Sequence, residues 1–461
     1  MDAIAAVILA AGEGKRMNSA KPKVLCEVLW KPMLQWVIDS VNAAGIEELV
    51  VVCGHGADQV EAWLAPSVDT CLQREQLGTG HAVMQAADLL ARSKADHVLI
   101  LCGDAPFMDA ETLTRASEDH RRDGRDVTVI SAEVADPFGY GRIVRDPDGA
   151  LQAIVEQRDA DARTAAIREV NSGGYYFRKS ALLDALRRLS NHNAQGEYYL
   201  TDGIEWIRRR GGRAGAYRTE NADCVLGAND RRQLLQLNTL ARERVLNHWM
   251  TAGVELISPD GVVIGPSVRI GRDTVLLPGT LLKGNTTIGS GCVLGPNTLV
   301  EDSVIGDGVK LNAVQCYQSR IADGVTAGPF VHIRPNCELH EQVRIGDFVE
   351  LKNSTIGAGS KVPHLTYVGD ADVGKSVNFG CGCVTVNYDG QMKSRTVVED
   401  RAFIGCNTNL VAPVTVGEGA YTAPGSTITA DVPPYSLAIA RCHQENKDGW
   451  VAHNRPQSKQ K

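Results

Sequence analysis

The sequence predicts two folds in series. An α/β, Rossmann-like layer sandwich with a mainly parallel sheet occupies 1–229, a long helical linker 230–252, and a parallel β-helix of hexapeptide repeats 253–461. Three observations carry that prediction. Short apolar runs alternate with helical periodicity up to about residue 225, as in a sheet covered by helices. Leucines at 234, 235, 237, 240 and 246 lie in one polar-faced stretch that stops near Gly253, the pattern of a single helix and its C-cap. Then Ile264, Ile270, Leu276, Leu282, Ile288, Leu294 and Val300 recur every six residues. An amphipathic helix would repeat at three and four and a half-buried strand at two. A period of six is that of short strands, each giving one inward aliphatic residue before the chain turns a corner.

In order along the chain, 5–10 is an apolar strand running into Ala11-Gly12-Glu13-Gly14-Lys15-Arg16. Strand, Gly-rich turn and cations form a phosphate cradle: Gly12 and Gly14 let backbone N–H groups approach an anion, and Arg16 adds charge. The spacing is neither the dinucleotide fingerprint nor a Walker A loop. Lys23, stiffened by Pro22, supplies a second cation. A helix over 33–43 and a strand over 48–53 precede a second Gly-rich turn, 73–81, whose Gln73, Gly78 and Thr79 suit the edge of a base. The apolar strand near 98–101 runs into Cys102-Gly103-Asp104. A carboxylate at the C-terminal end of a parallel strand faces the ligand crevice, where a Mg²⁺–triphosphate would lie. Asp104 alone reads equally well as a helix N-cap; the two Gly-rich turns and Lys23 favour metal. A further strand covers 127–132.

Beyond Val300 the period slips to five at Ile305, resumes through Ile321, Ala327, Ile333, Leu339, Ile345 and Leu351, slips again at Ile356, and returns from Ile404 to Ile428. Three hexads make one triangular coil, so about ten coils are expected. Arg334, Lys352, His364, Tyr367, Asn378, Asn387, Tyr388 and Lys393 gather where the repeat falters, and 386–400 leaves it as a loop. Arg334 and Lys352 are one 18-residue coil apart and stack on one edge. A cation-lined edge suits a sugar phosphate, and a neutral His suits a general base near pH 7. A lone His reads more readily as a surface residue; the stacked cations weigh against that, and the family motif given below, together with them, reverses it.

With 43% apolar and 22% charged residues, the 461-residue chain is an ordinary soluble globular sequence of about three domains. A net charge of −7 argues against nucleic-acid binding as the main activity and leaves room for a local phosphate pocket. The basic tail 455–461 is short and solvated. No apolar run reaches the roughly 18 residues of a membrane span, and the apolar start has no basic segment before it. Twelve scattered Cys without zinc-ligand spacing indicate a reducing, cytoplasmic compartment.

Leu9-Ala10-Ala11-Gly12-Glu13-Gly14, Pro22-Lys23-Val24-Leu25, Gln76-Leu77-Gly78-Thr79-Gly80-His81, Gly103-Asp104 and Gly139-Tyr140-Gly141-Arg142 resemble the sugar-phosphate nucleotidyltransferases. With the hexad repeat, the chain is similar to the bifunctional bacterial members of that family. Those join an N-acetylglucosamine-1-phosphate uridylyltransferase to a glucosamine-1-phosphate N-acetyltransferase and feed peptidoglycan and lipopolysaccharide precursors. Asn193-Ala194-Gln195-Gly196-Glu197-Tyr198-Tyr199-Leu200-Thr201-Asp202 and Pro363-His364-Leu365-Thr366-Tyr367-Val368-Gly369-Asp370 are the stretches specific to them.

The resemblance implies a left-handed β-helix, a homotrimer, and substrates UTP, N-acetylglucosamine 1-phosphate, glucosamine 1-phosphate and acetyl-CoA. It implies that Leu9, Ala10, Ala11, Gly12, Gln73, Gly78 and Thr79 hold the uridine nucleotide, with Cys102 and Gly103 beside it. Lys23 and Arg16 would neutralise phosphates, Asp104 and Asn229 would hold Mg²⁺, and Gly141, Glu156 and Asn171 would contact the sugar. In the repeat, His364 would be the base and Glu350 would orient it. Arg334, Lys352, Tyr367, Asn378 and Lys393 would hold the sugar phosphate. Asn387, Tyr388, Ala423 and Arg441 would meet acetyl-CoA, alongside Cys381 and Cys406. The chain departs from the family at Lys15 (usually Thr), Cys102 (Tyr), Cys381 (Ala) and Cys406 (Ser). Lys15 is expected to add charge beside the phosphates, Cys102 to lend only its backbone, and Cys406 to weaken a cofactor hydrogen bond, since S–H is a poor donor. The competing function is a single-activity sugar-1-phosphate nucleotidyltransferase whose β-helix only oligomerises it. The polar cluster around His364 discriminates, because a purely structural repeat does not require it.

Overall fold

The computed structural model describes residues 3–192 and 196–454; Asn193, Ala194 and Gln195 of the family motif and the tail 455–461 lie outside the described residues. The chain forms two compact units, Met1–Ala241 and Arg242–Lys461. The division falls inside the expected linker helix, which runs Arg231–Thr251.

The first unit contains, in order, β1 (Ile4–Ala10), α1 (Met33–Ala43), β2 (Glu48–Cys53), β3 (Asp69–Leu72), α2 (Thr79–Gln85), β4 (His97–Cys102), α3 (Ala110–Arg122), β5 (Val127–Glu133), β6 (Glu169–Arg178), α4 (Leu200–Arg209) and β7 (Ala214–Thr219). The sheet order is β7-β5-β6-β4-β1-β2-β3. Strand β1 lies inside the sheet, buried on both faces: Ala6, Ile8 and Ala10 enter one core and Ala5 and Val7 the other. That is why it reads as a continuous apolar run rather than an alternating one. The sheet is parallel except at β6, which runs antiparallel to both β4 and β5. The β5-to-β6 connection carries the hairpin Arg142–Arg145/Leu151–Val155 and one short helix (Ala162–Ala165), and an antiparallel neighbour needs no long helical crossover. Parallel register aligns Leu9 with Val52 and with Cys102, so the loops after β1, β2 and β4 leave from one edge.

The second unit is three parallel sheets of 11, 10 and 9 short strands, consistent with the expected left-handed β-helix. Each hexad aliphatic faces in: Leu276, Leu294 and Leu311 stack in one sheet, Ile264, Leu282 and Val300 in the second, Ile270, Ile288 and Ile305 in the third. Buried hydroxyls between coils bond carbonyls, as Thr274 Oγ1 does to Gly289 O at 2.8 Å. The second half of the expected 386–400 loop returns to the prism. Thr396–Val398 is a strand whose Thr396 and Val398 are buried, so the excursion is confined to 387–395, pinned by a bridge between Tyr388 and Lys393. No helix among the described residues is long and apolar enough to cross a membrane.

Candidate active sites

The first site is built on the edge where β1, β2 and β4 end. Gly14 adopts φ +59°, and a Cβ there would lie 2.8 Å from Lys23 Cβ. Only glycine lets the Gly-rich loop close over that lysine. Lys23 Nζ pairs with the Asp104 carboxylate and donates to Asn229 Oδ1 at 2.6 Å. The two expected metal ligands thus converge on a cation, although 81 and 125 positions separate the three along the chain. Gln73 is buried; its Nε2 donates to Gly78 O at 3.1 Å. Gly78, at φ +103°, sets the turn into α2, where Thr79 Oγ1 accepts from the Leu200 amide at 3.2 Å. Leu9, Ala11, Gly12, Lys23, Gln73, Gly78, Thr79, Cys102 and Asp104 line one cavity of about 260 Å³. Ala10 is buried in the strand behind it.

A second cavity of about 440 Å³ adjoins at Cys102 and Asp104 and is lined by Arg16, Gly141, Glu156, Asn171 and Asn229. Asn171 is held on both sides: its amide donates to Gly141 O at 2.9 Å and its Nδ2 to the Tyr175 hydroxyl at 2.7 Å. Burial raises the Glu156 carboxyl above its usual range, reinforced by Asp159 and Asp202. Gly103 donates to Leu9 O at 2.9 Å. The Cys102 thiol is pushed up to about 12 by burial and directs Sγ to Gly173 O at 3.7 Å, so this thiol is not a nucleophile at neutral pH. Lys15 does not turn toward the phosphate cradle: its largely exposed ammonium pairs with Glu13 at 2.5 Å.

The second candidate site spans a corner of the β-helix, at His364, and the sheet that follows it, which carries Arg334, Lys352 and Tyr367. Strand Lys361–His364 ends at His364, the chain turns through Leu365 and Thr366, and Tyr367–Gly369 begins on the next sheet. Arg334 bonds in the ladder to Leu351 O, which sets it beside Lys352 on the following coil. The Tyr367 phenol lies across Gly369, which is in register with Lys352, and a Cβ on Gly369 would collide with the ring. Asn378 is in register with Lys361 on the sheet that carries His364.

Asp370, which sequence reasoning did not single out, joins side chains at the far end of the sheet that carries Lys352. It accepts from Asn353 Nδ2 at 2.6 Å and from Asn387 Nδ2, and lies 3.6 Å from Lys352 Nζ. Burial works to raise its carboxyl, but those amides, with Lys352 and Lys393, hold it below the usual range. Glu350 does not meet His364. Its Oε1 pairs with Arg334 at 2.9 Å, and the carboxylate on His364 is Asp347, 2.6 Å from Nδ1. Cys381 and Cys406 fall in register on adjacent coils just beyond the strand pair Asn378–Phe379/Phe403–Ile404; Cys406 is exposed and Cys381 partly so. Tyr388 and Arg441 are exposed, and Ala423 is buried with its amide donating to Ala438 O.

A nucleotidyl transferase family model matches residues 5–250. The bifunctional protein GlmU of Halalkalibacterium halodurans is 50% identical over 446 residues, covering 97% of this chain and 98% of that protein. The proteins of the same name from a Geobacillus species and from Caldanaerobacter subterraneus are 50% and 49% identical, each over 97–98% of both chains.

Proposed function

The chain belongs to the GlmU family of bifunctional nucleotidyl transferases, and from that premise we propose that it completes two consecutive steps of UDP-N-acetylglucosamine synthesis. The β-helix unit acetylates glucosamine 1-phosphate with acetyl-CoA. The first unit transfers uridylyl from UTP to N-acetylglucosamine 1-phosphate and releases pyrophosphate. The observation that carries the bifunctional reading is a carboxylate-held imidazole ending one sheet of the β-helix, with the stacked cations Arg334 and Lys352 on the sheet that follows it.

In the first unit the sugar-phosphate oxygen attacks the α-phosphorus of UTP with no covalent enzyme intermediate, so the work is positioning and charge neutralisation. The 260 Å³ cavity takes the nucleotide, Gln73 and the loop amides reading the base, and the 440 Å³ cavity takes the sugar against Gly141, Glu156 and Asn171. Asp104 and Asn229 offer the hard oxygen donors that suit Mg²⁺, and their convergence on one ammonium indicates room for a cation there. A Mg²⁺ ion bound with the triphosphate supplies charge neutralisation at the phosphates. Lys23 and Arg16 hold the phosphate oxygens from the protein side.

In the second unit the amine nitrogen bonds to the thioester carbonyl carbon, the C–S bond breaks, and His364 takes the amine proton. Arg334, Lys352, Tyr367, Asn378 and Lys393 hold the sugar phosphate, with Glu350 fixing Arg334. Asn387, Tyr388, Cys381, Cys406, Ala423 and Arg441 border the acetyl-CoA side. A homotrimer in a reducing cytoplasm completes the proposal; all twelve Cys are free thiols, in keeping with that compartment. The test is a pair of assays on wild type and His364→Ala: free CoA from glucosamine 1-phosphate and acetyl-CoA, and pyrophosphate from N-acetylglucosamine 1-phosphate, UTP and Mg²⁺. His364→Ala should abolish the first and spare the second. No CoA release by wild type would leave only the single-activity transferase standing.

A further inference from the structure

We propose that Asp347 is the positioning residue of the acetyltransferase base: its carboxylate holds the Nδ1–H of His364, which makes Nε2 the atom that takes the amine proton. The inference rests on the reading of His364 as the base. The Asp347 Oδ1 to His364 Nδ1 separation is 2.6 Å, and an ionised carboxylate can only accept, so Nδ1 carries the hydrogen and the Nε2 lone pair is free.

Two features of the backbone create the contact. Asp347 and His364 are register partners on consecutive coils, 17 residues apart, because this coil is one residue short of three hexads. A full 18-residue coil would set Gly346 opposite His364 instead. Gly346 is itself required, since a Cβ there would strike the Pro363 carbonyl, and its absence brings the coils together where the two side chains meet. Among the described residues, the two other carboxylates of this candidate site are engaged elsewhere. Glu350 is engaged by Arg334, and Asp370 is buried under Lys352, Asn353 and Asn387.

The surroundings keep Asp347 ionised. The hydrogen bond to His364 holds its carboxyl below the usual range, helped by its own backbone amide. Among titratable and charged groups, the coil before His364 brings Asp347 with Arg344 and Glu350 along the same stretch. Its own strand brings Lys361, in register with Arg344, and the coil after brings Cys381, with Asn378 in register with Lys361. In the reaction the N–C bond forms, the thioester C–S bond breaks, and Nε2 receives the amine proton and returns it to the departing thiolate. Asp347 stabilises the imidazolium between the two transfers.

The test compares wild type, Asp347→Asn, Asp347→Glu and His364→Ala as full-length protein. Three readouts are used: steady-state acetyl transfer, uridylyl transfer, and 15N shifts of the His364 ring in selectively labelled protein. Asp347→Asn should lower kcat for acetyl transfer at least about tenfold, less than the roughly 10⁴-fold cost of neutralising a buried carboxylate that orients a general-base imidazole, because this pair is solvent-exposed. KM for both substrates should stay within about twofold, the pattern of an interaction made in the transition state. The ring nitrogens should shift toward a mixture of tautomers, and Asp347→Glu should restore part of kcat. An unchanged kcat, or unchanged His364 15N shifts, overturns the role of Asp347, as does a rise in KM at constant kcat. Full acetyl transfer by His364→Ala overturns the base assignment instead, so the two failures are told apart.

Discussion

Replacing Lys23 with Met tests the first site through a group whose surroundings set the size of the effect. The ammonium pairs with Asp104 and donates to Asn229, with the lysine side chain 11% exposed and the aspartate 27%. Methionine keeps the length and the stem packing and removes the charge. In the resting protein Asp104 loses its cation. Because water still reaches that carboxylate, the cost is about 1–2 kcal/mol, below that of a fully buried pair. In the reaction the phosphates lose one preorganised cation, comparable to deleting an oxyanion donor, about 3–4 kcal/mol or 10²–10³ in kcat. The assay is pyrophosphate release, with CoA release measured on the same preparation. Lys23 and His364 belong to different compact units, so the first rate should fall by about a hundredfold or more and the second should hold within about twofold. A uridylyl rate within tenfold of wild type would refute the placement of Lys23 among the phosphates. Parallel loss of both rates would refute the independence of the sites.

Two further predictions concern stability. His120 is buried against His97 and Thr128, and burial, followed by His97 and the arginines around it, pushes its pKa down to about 3. An unfolded His takes up its proton near 6.5, so below that pH the unfolded chain binds a proton that the folded chain refuses until about pH 3. Stability is therefore full above about 6.5 and falls by about 1.4 kcal/mol per pH unit as pH drops through that window. Urea midpoints of the first unit should fall between pH 7 and pH 4.5 and fall less in His120→Gln; parallel curves would contradict this. Leu294 is fully buried between Leu276 and Leu311, so Leu294→Ala should cost the β-helix about 2–5 kcal/mol in denaturant melts, and a loss under about 1 kcal/mol would contradict an interior stack.

How much was legible depended on the range of the contact. Strand Glu48–Cys53 and helix Met33–Ala43 were readable because each buries a local pattern: a continuous apolar run, and apolar positions spaced as on a helix face. The reversed strand Glu169–Arg178 was not, since an antiparallel neighbour and a parallel one present the same alternation of burial and differ only in partner direction. The excursion after Val386 was drawn too long for a similar reason. Thr396 carries no apolar signal, yet it returns to the prism interior.

The sequence by itself determined the β-helix and marked the two stretches where candidate sites were to be sought. A period of six specifies which side chains face inward, and a Gly-rich turn after an apolar strand specifies where an anion can approach. Both are local properties of the chain. The slips of that period were visible as well. Only the tertiary structure decided which side chains they join. Register between coils is set by how many residues each turn consumes, so the loss of one residue puts Asp347 rather than Gly346 opposite His364, while Glu350 pairs with Arg334 of the coil before. In the same way Lys23, Asp104 and Asn229 come together because three connections leave from and return to one edge of the first unit. That convergence depends on the packed sheet and has no counterpart in local spacing.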